Sequence, residues 1–191
     1  MINLLFEELP DTVEVSGSFY KIATDFRNWI AFFDMMENNE LSQKQKISFA
    51  LRWFENEIPH DIVKGYNALA DFASCKGIHF ESPKKENSES FTKVPSLSWL
   101  YDSAYVLGAF RQVYGIDLIR VEYMHWWEFS ALFEALPEDV PLKKRMAYRQ
   151  INPSEIKDKE RRKQILKIKR AVAFPRNPMS AEKTGEVFSM F

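Results

Sequence analysis

Apolar positions in this chain recur with two periods. Near the N-terminus the period is two: Thr12-Val13-Glu14-Val15 and Phe19-Tyr20-Lys21-Ile22 alternate on either side of Ser16-Gly17-Ser18. Alternation around a glycine-containing turn predicts a small β-hairpin over about 10–23. An isolated hairpin is marginal, so it is expected to lean on helices. Beyond it the spacing turns helical. Thr24 or Asp25 can cap a helix carrying Phe26, Trp29, Ile30, Phe33 and Met36 and ended by Asn38-Asn39. Ser42 and Gln45 make a capping-box pattern ahead of Ile47, Ala50, Leu51 and Phe54. Pro59 opens a third helix whose stripe is Ile62, Tyr66, Leu69 and Ala73.

A polar stretch, 81–93, whose first ten residues hold no aromatic, then interrupts the pattern and reads as a linker or mobile loop within about 77–95. Ser96 is placed to cap a fourth helix that runs to Tyr114 and stops at Gly115. Leu100, Ala104 and Leu107 lie on one side of it and Trp99, Val106, Phe110 and Val113 on another, which predicts a central, mostly buried helix. A fifth helix contains His125-Trp126-Trp127 and stops before Pro137, and Pro141 opens a sixth with Leu142, Met146 and Ala147. Asn152, Pro153 and Glu155 supply an N-cap, a proline at the first helical position and an acid at the third for a last helix, whose apolar set is Ile156, Ile165, Ile168 and Val172. The expected fold is mostly α: a single compact helical domain over 1–175, of about six to seven helices, with a small N-terminal β-hairpin. Residues 176–191 are expected to form a flexible tail whose apolar end, Val187, Phe188, Met190 and Phe191, can dock on a partner.

Composition agrees with helices. Sixteen Phe and five Trp in 191 residues supply a dense aromatic core. Six glycines are few for phosphate-cradling loops, which argues against a nucleotide-binding α/β fold. Cys75 is the one cysteine, so neither an intramolecular disulfide nor a cysteine-based metal site is expected. The N-terminus Met1-Ile2-Asn3-Leu4-Leu5-Phe6 lacks a basic region and runs into Glu7 and Glu8, unlike a signal peptide.

Catalytic chemistry is not expected. His60, His79 and His125 lack the spaced partners of a metal site, and Ser130 lacks a glycine elbow. Helix caps and surface ion pairs account for Asp25, Asp34, Asp102 and Asp117 more readily than general acid–base work does. No catalytic, metal-binding or cofactor-binding residue is therefore assigned.

Two features point to binding. Residues 142–170 hold twelve Lys and Arg against three acids, whereas residues 1–141 hold twelve against twenty-two. The basic run includes Arg161, Arg162 and Lys163. It reads as a solvated helix with pairs such as Asp158 to Arg162 and Glu160 to Lys163, as a protein-partner surface, or as a nucleic-acid footprint. Residues 154–170 hold no aromatic, and the acidic body repels phosphate, so nucleic acid is the least favoured of the three. The adjacent Trp126 and Trp127 point about 100° apart on a helix and so need apolar partners on two sides. With Met124, Phe129 and Phe133 around them they read as a packing centre; an exposed indole would instead anchor a partner helix. The candidate partner-binding residues are Trp126, Trp127, Phe129, Arg161, Arg162 and Lys163.

A set of short blocks carries a resemblance. Thr24-Asp25-Phe26-Arg27-Asn28-Trp29 comes first, then Tyr114-Gly115-Ile116-Asp117-Leu118 and the run from Tyr123 to Phe133. Met146-Ala147-Tyr148-Arg149, Ile156 to Lys163, and Ala171-Val172-Ala173-Phe174-Pro175 follow. In this order and spacing the chain resembles the bacteriophage gene-product-fifteen family of tailed phages of Gram-positive bacteria. The resemblance implies a gene between those of the tail tube and tape measure proteins, where tail assembly chaperones are found. A non-catalytic chaperone is therefore expected, with the tape measure and tail tube proteins as partners and self-association as a further contact. Host cytoplasm rather than the mature virion is its expected location. A structural virion or tail-completion protein, and a nucleic-acid-binding phage protein using the basic helix, are the alternatives.

Overall fold

In a computed structural model the chain is described over residues 2–78 and 95–175. Most of the expected polar loop and the whole expected tail, 176–191, lie outside the described residues. Seven α-helices and one two-stranded sheet are found among those described. They fall into two compact units, one built from 2–78 with 122–134 and the other from 95–121 with 135–175.

The first unit begins with the predicted hairpin, β1 (Thr12–Val15) and β2 (Ser18–Lys21), paired antiparallel with Val15 opposite Ser18. Ser16 and Gly17 both have positive φ, 54° and 86°, so the turn has two residues rather than three and Ser18 belongs to the strand. Val13 and Val15 are buried while Glu14 is exposed, which is the alternation a half-buried strand requires. Helix α1 (Phe26–Glu37) starts at Asp25, whose carboxylate accepts from the Arg27 amide. Its buried residues are Phe26, Trp29, Phe32 and Met35, a face turned by about one position from the expected Ile30, Phe33 and Met36. Helix α2 (Gln43–Ala50) has the expected capping box at Ser42 and Gln45. The chain leaves it through a 3-10 turn, Leu51–Trp53, instead of continuing to Phe54.

Helix α3 (Ile62–Ala73) is capped by Asp61, which accepts from the Lys64 amide, and not opened by Pro59. Pro59 is fully buried against Gly65, where an added Cβ would stand 3.2 Å from the proline ring. Helix α5 (Trp126–Glu134) completes the unit. Here α3 packs on β1, α2 on α3 and α1 on α5.

The second unit holds α4 (Trp99–Tyr114), α6 (Pro141–Gln150) and α7 (Lys159–Ala171), with α6 packed on both of the others. Ser98 rather than Ser96 caps α4: its hydroxyl accepts from the Tyr101 amide, and its own amide donates to Asp102. Gly115 ends the helix in the left-handed conformation, φ 70°, as a helix-terminating glycine should. Among the described residues α4 buries one face only, Asp102, Val106, Ala109 and Phe110, and leaves Leu100 and Ala104 exposed; the expected all-round burial is not found. Asn152 and Pro153 start a single 3-10 turn, Pro153–Glu155, and a second cap, Asp158, starts α7 six residues beyond the expected place.

Candidate partner-contact surfaces

Helix α5 puts its two tryptophans to a use their spacing alone did not disclose. A helix leaves its last carbonyls without intrahelical partners. At the end of α3, Ala73 O accepts from Trp126 Nε1 at 2.9 Å and Phe72 O from Trp127 Nε1 at 2.9 Å. The neighbouring indoles diverge from α5 and close two adjacent carbonyls of one facing helix end. Trp29 Nε1 donates likewise to Ala23 O, and Trp53 Nε1 to Asn28 O. The apolar faces of these rings fill the core. Phe26 stacks on Phe129 at 4.8 Å, Trp29 lies 4.8 Å from Phe72, and Phe72 lies 5.3 Å from Trp127.

His125 begins α5 and is held at both ring nitrogens. Nδ1 accepts from the Trp127 amide at 3.0 Å, and Nε2 lies 3.0 Å from Pro10 O. A carbonyl only accepts, so Nε2 carries the proton and the ring is neutral. Burial pushes its pKa below the ordinary histidine value, against smaller opposing effects of the Pro10 hydrogen bond and nearby acids. Asp25 Oδ2 accepts from the Met124 amide, Phe26 N donates to Met124 O, and Trp126 N donates to Thr24 O at 2.7 Å. The starts of α1 and α5 are thus bonded to each other, with Thr24 and Tyr123 hydroxyls 2.9 Å apart beside them.

Trp126, Trp127 and Phe129 are 5%, 3% and 0% exposed. They are core residues, and the reading of these three as a contact surface is corrected: their polar edges and ring faces are taken up within the unit. Cys75 is buried as well, and desolvation pushes its thiol up to about 11 despite the Ser130 hydroxyl, which leaves it protonated and unreactive at neutral pH.

The basic helix is different. Arg161 and Lys163 are exposed and Arg162 is half-buried. Neither expected intrahelical pair forms among the described residues; the Asp158 carboxylate instead accepts from the Arg161 amide at 2.6 Å. The helix is fixed from its other end, where Lys169 Nζ donates to Arg149 O and Ile151 O. Described residues of this second unit carry fourteen Lys and Arg against seven acids; those of the first carry seven against fifteen. The charge segregation seen along the chain therefore coincides with the division into units.

One buried cluster escaped sequence reasoning. Arg149 and Asp102 are 2% and 0% exposed and form a two-pronged pair at 2.6 and 2.8 Å. Arg149 also donates to Ser96 O and Val172 O, and its guanidinium lies 4.0 Å from the Phe174 ring. Arg145 approaches the same carboxylate at 3.7 Å and covers Tyr105. The available signal was slight: Met146-Ala147-Tyr148-Arg149 places an arginine one turn past an apolar position on a helix. Asp117 is held below the usual carboxylate range by Arg111, 2.8 Å away, and also caps the Ile119 amide. Among the described residues no group of three or more His, Cys, Asp and Glu is placed to hold a metal. No helix of the described residues is long and apolar enough to cross a membrane.

A family model described as Bacteriophage Gp15 protein matches residues 5–174. The chain belongs to that family. No curated protein and no solved structure matches it. In this Gp15 protein the Thr24–Trp29 block and the His125-Trp126-Trp127 block meet at the joint between α1 and α5, and the Met146–Arg149 block supplies the buried arginine of the second unit.

Proposed function

We propose that this phage protein is a tail assembly chaperone that binds the tape measure protein stoichiometrically and helps the tail tube assemble, without catalysing a reaction. Membership of the Gp15 family over residues 5–174 carries the reading. Two physical features support it. An exposed basic helix with Arg161, Arg162 and Lys163 beyond the reach of its own acids is suited to an acidic helical client. An acidic unit and a basic unit in one chain suit repeated binding along a filament-like client, or contact with tail tube subunits and further copies of itself. Its place of action is then the host cytoplasm, with none left in the finished virion. Co-expression with the tape measure protein of the same phage tests this. The tape measure should stay soluble only in complex, the complex should weaken when Arg161, Arg162 and Lys163 become Glu, and purified virions should lack the protein. A tape measure indifferent to it, or its presence in virions, refutes the reading.

The charge of the second unit favours one other reading, nucleic-acid binding through α7. It requires duplex binding that falls steeply with salt and is lost in the same triple variant.

A further inference from the structure

We propose that the outer edge of β1, with the groove beside it, is a docking site for an extended segment of a partner polypeptide, which adds to the hairpin as a third strand. The hairpin register decides which backbone groups face outward. Ile22 N donates to Asp11 O at 3.0 Å, and Val15 is joined to Ser18 by a two-residue turn. Bonded and non-bonded pairs alternate along an antiparallel ladder, so Asp11, Val13 and Val15 exchange bonds with β2 while Thr12 and Glu14 point their N–H and C=O away from it. Among the described residues those four outward groups have no hydrogen-bond partner. On the far side of the hairpin the corresponding Lys21 O accepts from Glu55 N at 3.0 Å.

Alongside this edge runs an open groove of about 260 Å³, lined by Thr12, Val13, Glu14, Ala68, Phe72 and Trp127. The Asp71–Lys76 ion pair, 2.6 Å, lies at its rim. A helix has no backbone groups to offer such an edge, because its own are bonded internally. An extended segment offers them at every second residue and sets alternate side chains over the groove. The apolar part of the lining, which includes Ile2, Pro10 and Val13 besides Ala68, Phe72 and Trp127, calls for small or medium aliphatic residues at those positions. Fifteen acids against seven Lys and Arg in the same unit favour basic residues at the others. This inference goes beyond the chaperone reading and does not depend on it.

The test uses the full chain and a blocked peptide, Lys-Val-Lys-Val-Lys-Val, observed by amide NMR. The peptide should shift the Thr12 and Glu14 amide signals and slow their exchange. Of two versions N-methylated on alternate residues, the one methylated on the residues that face β1 should lose binding. Thr12→Pro removes an N–H that the hairpin does not use, an edge position proline tolerates, and should weaken binding about fivefold or more by deleting one hydrogen bond. Unchanged Thr12 and Glu14 signals at millimolar peptide overturn the proposal, as does equal binding by both methylated peptides. So does slow exchange of the two amides in the free chain. Loss of that protection on dilution would assign the edge to a second copy, and its persistence to the chain's own segment.

Discussion

Trp126→Phe and Trp127→Phe form a pair of substitutions that isolates the polar role of the indoles. Both sites are almost wholly buried, at 5% and 3% exposure, so both lose similar ring area and leave similar voids. That shared loss is about 1–2 kcal/mol each. The carbonyls differ. Phe72 O also accepts from Cys75 N at 2.9 Å, so it keeps a partner when Trp127 loses its N–H. Among the described residues Ala73 O keeps only the Cys75 thiol at 4.0 Å, a weak donor. A buried carbonyl left without a good partner destabilises by about 1–3 kcal/mol. Trp126→Phe is therefore expected to destabilise the first unit by about 1–3 kcal/mol more than Trp127→Phe does. The assay is urea unfolding read on amide NMR signals of α3 and α5, so that the second unit does not enter the fitted transition. Equal losses within about 0.5 kcal/mol, or the reverse order, would refute the account of the indoles as closures of the α3 end.

Three further outcomes follow from the same contacts. Arg149→Leu strands the Asp102 carboxylate in the core of the second unit and should destabilise it by about 3–5 kcal/mol; Arg149→Leu with Asp102→Leu should recover most of that, read as a non-additive double-mutant cycle in urea. His125 binds its second proton less readily folded than unfolded, so its contribution is complete above the ordinary value of 6.5 and is lost as pH falls below that value towards the lowered one. The melting temperature should fall between pH 7.5 and 5.5, above the ordinary carboxylate range, and His125→Asn should flatten the slope. Asp158→Ala removes the cap of α7 and should lower stability by about 1 kcal/mol, seen as fraying of the Lys159–Arg162 amides in hydrogen exchange.

Legibility in the sequence followed the range of the interaction. The Asp25 cap, the Ser42–Gln45 box and the Gly115 stop depend on neighbours within four residues and the hairpin on pairs no more than nine apart, and all four were readable. Errors arose where a distant group competed. Ser96 was the expected cap, but Ser98 has Asp102 one turn on to take its amide, while Ser96 O is drawn to Arg149. Pro59 is consumed by packing on Gly65, which leaves Asp61 to start α3. Asn152 spends its carbonyl oxygen on the Ser154 amide and closes one turn only. The buried face of α1 is turned because Phe32 meets Trp53 edge-on at 5.3 Å, a contact with a 3-10 turn that periodicity does not predict. Of the candidate contact residues, the basic three were found where a charged helix face would put them. The aromatic three are core, as the packing-centre reading had it; an indole reads as a surface anchor or as core until the acceptor of its N–H is known.

The placement of the family blocks bears on where function should be sought. Thr24–Trp29 and Tyr123–Phe133 carry much of the likeness to the Gp15 family, and they meet at a joint built from backbone pairing, a neutral histidine and a stacked Phe26–Phe129 pair. The buried groups there are already committed to partners inside the unit, so a substitution at them acts first on stability and only through stability on any client. Scanning these blocks for lost binding would therefore return positives that report unfolding. Surface positions separate the two effects. Arg161, Arg162 and Lys163 lie on a helix with no fully buried residue, and Thr12 offers an outward amide that its own hairpin leaves unused. Changes at these positions can alter contact with a partner while leaving the core intact, so a binding defect that appears there at unchanged melting temperature is evidence about function in a way that a defect at Trp126 cannot be.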